Sequence, residues 1–394
     1  MLIPVSAVFY IRGIVPLLVI CALACAAVLW PPKLSMTRSC WALQAVAALC
    51  IWTGLTSIWA IDRGSALTGA LKLSGNMLAG ALFALKANQI DEHERRRFTT
   101  MLLVGWFGTL AVIVIEVFFS GPIFKTFWGL DIRNYDNGPF WLHAGLAVLI
   151  LLYWPLVLHI RRLWGSAASY AILAGLMAIT LLANFRTGVI ALAFGEIVRA
   201  LTHVNRRVTI RSFATLFLVC VVIAPFVVNG LGSPVEAAKR LPSLPYAAQH
   251  RIAIWAFTAE HIVERPVLGW GMNASKWIPG GKDKIYLAPD LQLGESLPLH
   301  PHNATLQIWL ELGLIGVTAY LALFFGLFRT IDVSDSAATM MGQLVSAVTI
   351  ANVSYGIWQS WWLAVLWISV GTMCALRDPP RKLAYRSGPP EKLP

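Results

Sequence analysis

Charge is what this chain has least of. Asp, Glu, Lys and Arg make up 13% of its 394 residues, and only 19 are acids, where ordinary globular domains carry about 25% charged residues. A soluble fold of this length could not cover its surface with so few polar groups, so soluble readings are excluded. Cysteine is also sparse. Cys21, Cys25, Cys50, Cys220 and Cys374 fall within apolar runs and Cys40 at the edge of one, which excludes a disulfide scaffold and a CxxC metal site and leaves small buried hydrophobes. There is no internal repeat and no low-complexity tract, although the Pro-rich tail from Pro379 to Pro394 reads as disordered.

What is present in excess is apolar. Hydrophobic residues make up 58% of the chain, with 17 tryptophans and 30 glycines, the composition of an all-α polytopic integral membrane protein. Apolar runs near 13–30, 40–60, 66–86, 98–119, 139–158, 167–184, 187–198, 212–230, 303–327, 337–355 and 358–376 predict 11 transmembrane helices. Residues 2–11 are a candidate for a twelfth, short span or an extension of the first helix. No Lys or Arg precedes that run, which argues against a cleaved signal peptide.

The formal net charge of +12 would suggest nucleic acid in a soluble chain, but its placement points elsewhere. Segments 31–39, 86–97, 159–165, 199–211, 328–336 and 377–394 hold 18 of the 31 basic residues, and the short connections between them alternate as poor ones. The positive-inside rule makes these loops and the C-terminus cytoplasmic, and leaves no need for a nucleic-acid partner. The expected organisation is an N-terminal transmembrane bundle over 1–230, an extracytoplasmic loop over 231–302, C-terminal transmembrane helices over 303–376 and a cytoplasmic tail over 377–394. Within the long loop, Pro234–Arg240 and Pro245–Glu264 predict two short helices, and Gly269-Trp270-Gly271 and Pro279-Gly280-Gly281 predict turns.

Ionisable groups retained at helix ends on one side are candidates for function. Asn184-Phe185-Arg186-Thr187-Gly188 places an arginine between two spans. Arg251 lies in a loop helix with Trp255 one turn on. His300-Pro301-His302-Asn303 leads into a helix. Pro301 suits a first helical turn, and the positive end of the helix dipole favours a neutral, proton-accepting His302. Asn303, Gln307 and Glu311 recur every four residues as one polar stripe, while Gly313 and Gly316 predict close helix approach. Lys72, inside its span, reads as a snorkelling or ion-paired side chain, and Glu116 and Glu196 read as structural. Read singly, His302 is equally a helix-capping interfacial residue, and Arg186 and Arg251 are equally snorkelling or solvated charges.

His302-Asn303, nine residues, then Gly313-Leu314-Ile315-Gly316 resembles the histidine motif of bacterial O-antigen ligases. The order of features is similar too: many spans, an Arg-x-x-x-aliphatic element at Arg186 to Ile190, and a long loop with Arg251 and Gly-Trp-Gly before the histidine. The resemblance implies a glycosyltransferase that moves O-antigen from undecaprenyl pyrophosphate to the lipid A core oligosaccharide at the periplasmic face of the Gram-negative inner membrane. It implies His302 as the base, Arg186 and Arg251 on the pyrophosphate, and inversion without metal or cofactor. Asn303, Gln307, Glu311, Arg265, Arg133 and Lys72 are the expected supporting residues, and Trp255, Trp270 and Trp277 are candidates for sugar stacking or interfacial anchoring. The alternatives are an O-antigen polymerase, a protein O-oligosaccharyltransferase, or a flippase for the same lipid-linked sugar; the last would usually show structural repeats.

Overall fold

A computed structural model describes residues 2–29, 40–129 and 139–377. Arg133 and the Pro-rich tail lie outside the described residues. Two short apolar helices open the chain, α1 (Leu2–Phe9) and α2 (Ile14–Leu29), followed by α3 (Cys40–Leu55), α4 (Arg63–Ala87), α5 (Glu92–Phe118) and α6 (Pro122–Trp128). Next come α7 (Leu142–Leu182), α8 (Arg186–Val204) and α9 (Arg206–Asn229). The long connection that follows carries α10 (Pro234–Lys239), α11 (Tyr246–Glu264) and a hairpin of β1 (Lys284–Ala288) and β2 (Leu291–Glu295). The chain closes with α12 (Ala304–Asp332), α13 (Ala337–Val353) and α14 (Ser360–Leu376). The protein is an all-α, multi-pass membrane protein.

Among the described residues, six helical stretches are long and apolar enough to cross a membrane: Trp41–Ile58, α5, α7, α8, α9 and α12. The 11 apolar runs fall on these and on shorter helices, and the difference has physical causes. At 41 residues α7 would measure about 60 Å. It holds two of the runs, separated at Gly165, where φ 80 and ψ 176 leave the helical region. Helix α4 carries Arg63, Lys72 and Lys86 along its length, and α13 and α14 are 17 residues each. The run at 2–11 forms a separate helix of 8 residues, about 12 Å against a hydrocarbon core of about 30 Å. A 3-10 turn at Ile11–Gly13 divides it from α2.

Every residue from Gly145 to Val157 is buried, so the first half of α7 is a central helix surrounded by others. Its Trp154 fills the space that Gly195 of α8 and Gly342 of α13 leave: a Cβ on either glycine would come within 2.5 Å of the indole. Ser346 secures the junction, accepting from Trp154 Nε1 at 3.0 Å and donating to the Ala191 carbonyl at 2.8 Å. Outward-facing Ile51, Leu71, Val104 and Phe226 are each more than half exposed, as a lipid-facing surface requires.

The antiparallel hairpin is absent from the sequence reading. Its two strands are 5 residues each and mixed in polarity, too short to register against the helical periodicity around them. The two loop helices and the glycine turns stand where the sequence places them, with Gly269, Gly271 and Gly280 at positive φ.

Candidate functional site

The histidine turn is built from the chain's own capping chemistry. Asn303 is the N-cap of α12, its Oδ1 accepting from Leu306 N–H at 3.0 Å, so the helix starts at Ala304 and Pro301 stands before the cap instead of in the first turn. His302 just ahead of it has φ 53, the left-handed region that few side chains occupy. Three contacts hold this conformation. The His302 N–H donates to His300 Nδ1 at 3.2 Å, Trp255 Nε1 donates to the Pro301 carbonyl at 2.9 Å, and His302 Nδ1 lies 2.6 Å from the Ser354 carbonyl between α13 and α14.

A carbonyl can only accept, so Nδ1 carries the imidazole proton and Nε2 keeps its lone pair. Burial lowers the His302 pKa; the Ser354 bond opposes this, and the charges of Arg251 and His250 reinforce it. His300 is 9% exposed. Burial pushes its pKa down to about 3, with help from His302 and Lys276. Both rings are therefore neutral near pH 7, and His302 presents a bare nitrogen. The sequence shows His300 in the same motif, but its role as the acceptor that holds the turn needs the fold.

Arg251 reaches the site through helix geometry. It precedes Trp255 by four residues, so both lie on one face of α11, and Trp255 is pinned to the His302 turn. The guanidinium is half-buried, and burial alone lowers its pKa. Its charge acts on His302 and on His143. Among the described residues no carboxylate lies within ion-pairing distance of it. His143, at the start of α7, places its Nε2 3.0 Å from the Ala183 carbonyl and stacks on Phe185 at 4.8 Å, so the two ends of α7 meet here. Asn184 turns the chain at φ 58, and Arg186 follows, exposed, as the first residue of α8. Gly188 is needed because a Cβ there would lie 2.5 Å from the Phe185 ring. His143 escapes the sequence reading; an ionisable group in the first turn of an apolar span was the available signal.

The polar stripe of α12 points into the protein. Glu311 is fully buried and accepts from Asn273 N at 2.6 Å, Ser275 N at 3.4 Å, Ser275 Oγ at 2.5 Å, Gln307 Nε2 at 3.1 Å and Trp358 Nε1 at 2.8 Å. Gln307 also accepts from Ile357 N at 3.0 Å. This carboxylate ties α12 to the preceding loop and to the α13–α14 connection.

Gly313 breaks the helix at φ 61 and ψ −165. The freed carbonyls of Leu310, Glu311 and Leu312 accept from Trp270 N at 2.9 Å, Gly271 N at 2.8 Å and Trp52 Nε1 at 2.9 Å. In return Leu314 N donates to the Pro266 carbonyl at 2.8 Å. At Gly313 the element that comes close is therefore loop backbone and not a helix. A Cβ on Gly313 would stand 2.3 Å from the Val267 carbonyl oxygen, because loop backbone lies against it, and one on Gly316 would meet Leu312 of its own helix at 2.1 Å.

Other expected residues lie apart. Arg265 stacks over Trp270 at 4.0 Å, and that indole donates to the His261 carbonyl at 2.8 Å. Trp255 and Trp270 are thereby engaged within the protein, while Trp277 is 49% exposed. Lys72 is exposed on α4, and no described contact joins it to the histidine turn. Glu116 caps Ile123 N at 2.8 Å, and Glu196 pairs with Arg199. Among the described residues, no group of three or more His, Cys, Asp or Glu side chains is arranged to hold a metal ion.

Comparison with known proteins falls on the same region. Residues 171–321 match the family model described as O-Antigen ligase. Relatives named "Putative polysaccharide ligase" are 28% identical over 278 residues in Rickettsia prowazekii and 26% over 278 in Rickettsia typhi, each alignment covering 68% of this chain and 65% of the relative. One in Rickettsia conorii is 28% identical over 292 residues, 72% of this chain and 68% of the relative. The chain thus spans just under two thirds of the length of the first two relatives. No solved structure matches.

Proposed function

For a chain that carries an O-antigen ligase family region at residues 171–321, we propose a glycosyl transfer from a lipid pyrophosphate donor, undecaprenyl pyrophosphate-linked O-antigen, to a sugar hydroxyl of the lipid A core oligosaccharide. The reaction takes place at the periplasmic face of a Gram-negative inner membrane. The observation that carries this reading is the electrostatic coupling of Arg251 to His302. Among the described residues no carboxylate pairs with this half-buried guanidinium, which leaves it a site for an anion, and the imidazole on which its charge acts presents an unprotonated Nε2.

The chemistry follows from those two groups. The acceptor hydroxyl gives its proton to His302 Nε2 as its oxygen bonds to the anomeric carbon. The bond from that carbon to the pyrophosphate oxygen breaks on the opposite face, so configuration inverts. Undecaprenyl pyrophosphate leaves with its charge held by Arg251, and by Arg186 from the mouth of α8, through bidentate hydrogen bonds. No protein-bound intermediate is required, and the arginines take the role that a divalent ion plays in many glycosyl transfers. Asn303, Gln307 and Glu311 act indirectly, by setting the start of α12 under the histidine. His143 positions the Asn184–Phe185 turn, and through it Arg186.

The test is transfer by purified protein with lipid-linked donor and core acceptor. His302→Ala should lose about 10²–10⁴-fold in rate while still binding donor, and wild-type turnover should persist in EDTA. Wild-type turnover by His302→Ala removes the base, and activity lost to EDTA and restored by Mg²⁺ removes the metal-free half. The lipopolysaccharide of a deletion strain separates the neighbouring activities. Loss of this ligase leaves core without O-chain, loss of a polymerase leaves core with a single repeat, and loss of a protein glycosylase changes neither band.

A further inference from the structure

The connection from α13 to α14 forms the wall behind the histidine turn. Its Ser354 carbonyl accepts from His302 Nδ1, and Gly356 packs so closely on the His300 ring that a Cβ there would come within 2.8 Å of it. Gln359, where α14 begins, brings its side-chain Nε2 to 3.2 Å from His300 Nε2. That side chain makes no capping bond to its own helix, so its contact with His300 is the one that needs an explanation.

The His300 ring decides how the contact works. Burial keeps this imidazole neutral near pH 7, and a neutral imidazole has one N–H and one lone pair. The lone pair is committed, because His300 Nδ1 accepts from the His302 N–H at 3.2 Å. Nε2 therefore carries the proton and needs an acceptor. An amide nitrogen facing it would set donor against donor, whereas the amide turned end for end puts its oxygen there. Turning it breaks no bond, since Gln359 Oε1 is buried without a partner among the described residues. We propose that Gln359 is a positioning residue: its amide oxygen accepts from His300 Nε2, which keeps the lone pair on Nδ1, and that lone pair holds His302 in its left-handed turn. Without this acceptor the His300 proton is free to move to Nδ1, where it would face the His302 N–H and open the turn. The consequence for chemistry rests on the glycosyl-transfer reading, in which His302 is the base.

The experiment reads the ring nitrogens by NMR of full-length, isotope-labelled protein in detergent at about pH 8, where an ordinary imidazole is neutral. The His300 signal is assigned by its loss in His300→Gln, and steady-state transfer is measured alongside. In the wild type His300 should carry its proton on Nε2. Gln359→Leu, which removes the acceptor, should move His300 toward the Nδ1–H form and lower kcat about 10–10²-fold with the donor KM unchanged. Gln359→Glu, which keeps an oxygen at the same reach, should restore the wild-type tautomer and most of the rate. A purely structural Gln359 would instead lower the melting temperature and leave the tautomer and the kcat of the folded protein as in the wild type, a result that overturns the proposal. An Nδ1–H His300 in the wild type overturns it whatever the variants do. The expected tautomer together with wild-type turnover by His302→Ala would remove the base and leave the positioning of the turn standing.

Discussion

His302 is held in a conformation its backbone disfavours, and what holds it is hydrogen bonding to His300 and Ser354. Two predictions belong to this scale. Because burial lowers the His302 pKa, the acid limb of the transfer rate should have its midpoint below the ordinary imidazole value. A pH–rate profile checks this, and a midpoint at or above 7 contradicts it. His300 bears on stability. Its pKa is about 3 in the folded protein against an ordinary 6.5. Between these values the unfolded chain binds more protons, so stability is complete above about pH 6.5 and declines as pH falls. Melting temperatures in detergent from pH 7.5 to 5 should show the decline, and His300→Gln should flatten it. For the arginines, lysine keeps the charge and loses the planar fork, so Arg251→Lys and Arg186→Lys should each restore little transfer at normal membrane abundance.

Among the elements, α12 carries the most consequence. Its break at Gly313 would leave bare carbonyls at membrane depth, which a bilayer does not tolerate. The Gly269-Trp270-Gly271 segment crosses the break and, with Trp52, satisfies them, so the Gly-Trp-Gly element and the motif glycine, more than forty residues apart, are two halves of one joint. Gly313→Ala forces a Cβ into the Val267 carbonyl and a side chain into a backbone region essentially reserved for glycine. It should cost about 1–3 kcal/mol in strain alone, seen as a lower melting temperature and faster proteolysis between residues 265 and 276. Glu311→Gln places an amide donor among groups that all donate to the carboxylate, and should lower stability by about 1–3 kcal/mol with transfer falling in step with folded protein. Transfer lost at full stability would instead place Glu311 in the chemistry.

At the scale of the whole molecule, the proposed orientation sets the α9–α12 connection in the periplasm and the Arg-rich ends of α5 and α9 in the cytoplasm. A functional cysteine-free variant with Ser243→Cys should react with an impermeant thiol reagent in intact spheroplasts, and one with Asn205→Cys should not; the reverse labelling overturns the map. The helical membrane class was legible because composition leaves no other home for so apolar a chain, and the positions of the helices were legible because each needs a long apolar run. The break at Gly165 within α7, the separation of α1 from α2 and the β-hairpin were not, since each depends on a few backbone angles inside or beside apolar sequence.

What the sequence determined by itself is the membrane environment, the helices and the residue types of the candidate site: apolar length and the excess of Lys and Arg on alternate loops are local, additive properties. His302, Arg186 and Arg251 stood out as candidates because ionisable groups are rare in such a chain. Which groups meet was decided by tertiary structure alone. Ser354 fixes the His302 tautomer from 52 residues away, His143 joins through the turn at Ala183, and Gln307 and Glu311 turn inward to bind loops while Lys72 remains apart. Hydrogen-bond partners distant in sequence leave no periodic trace, and a side chain's role depends on what the fold brings within 3 Å of it.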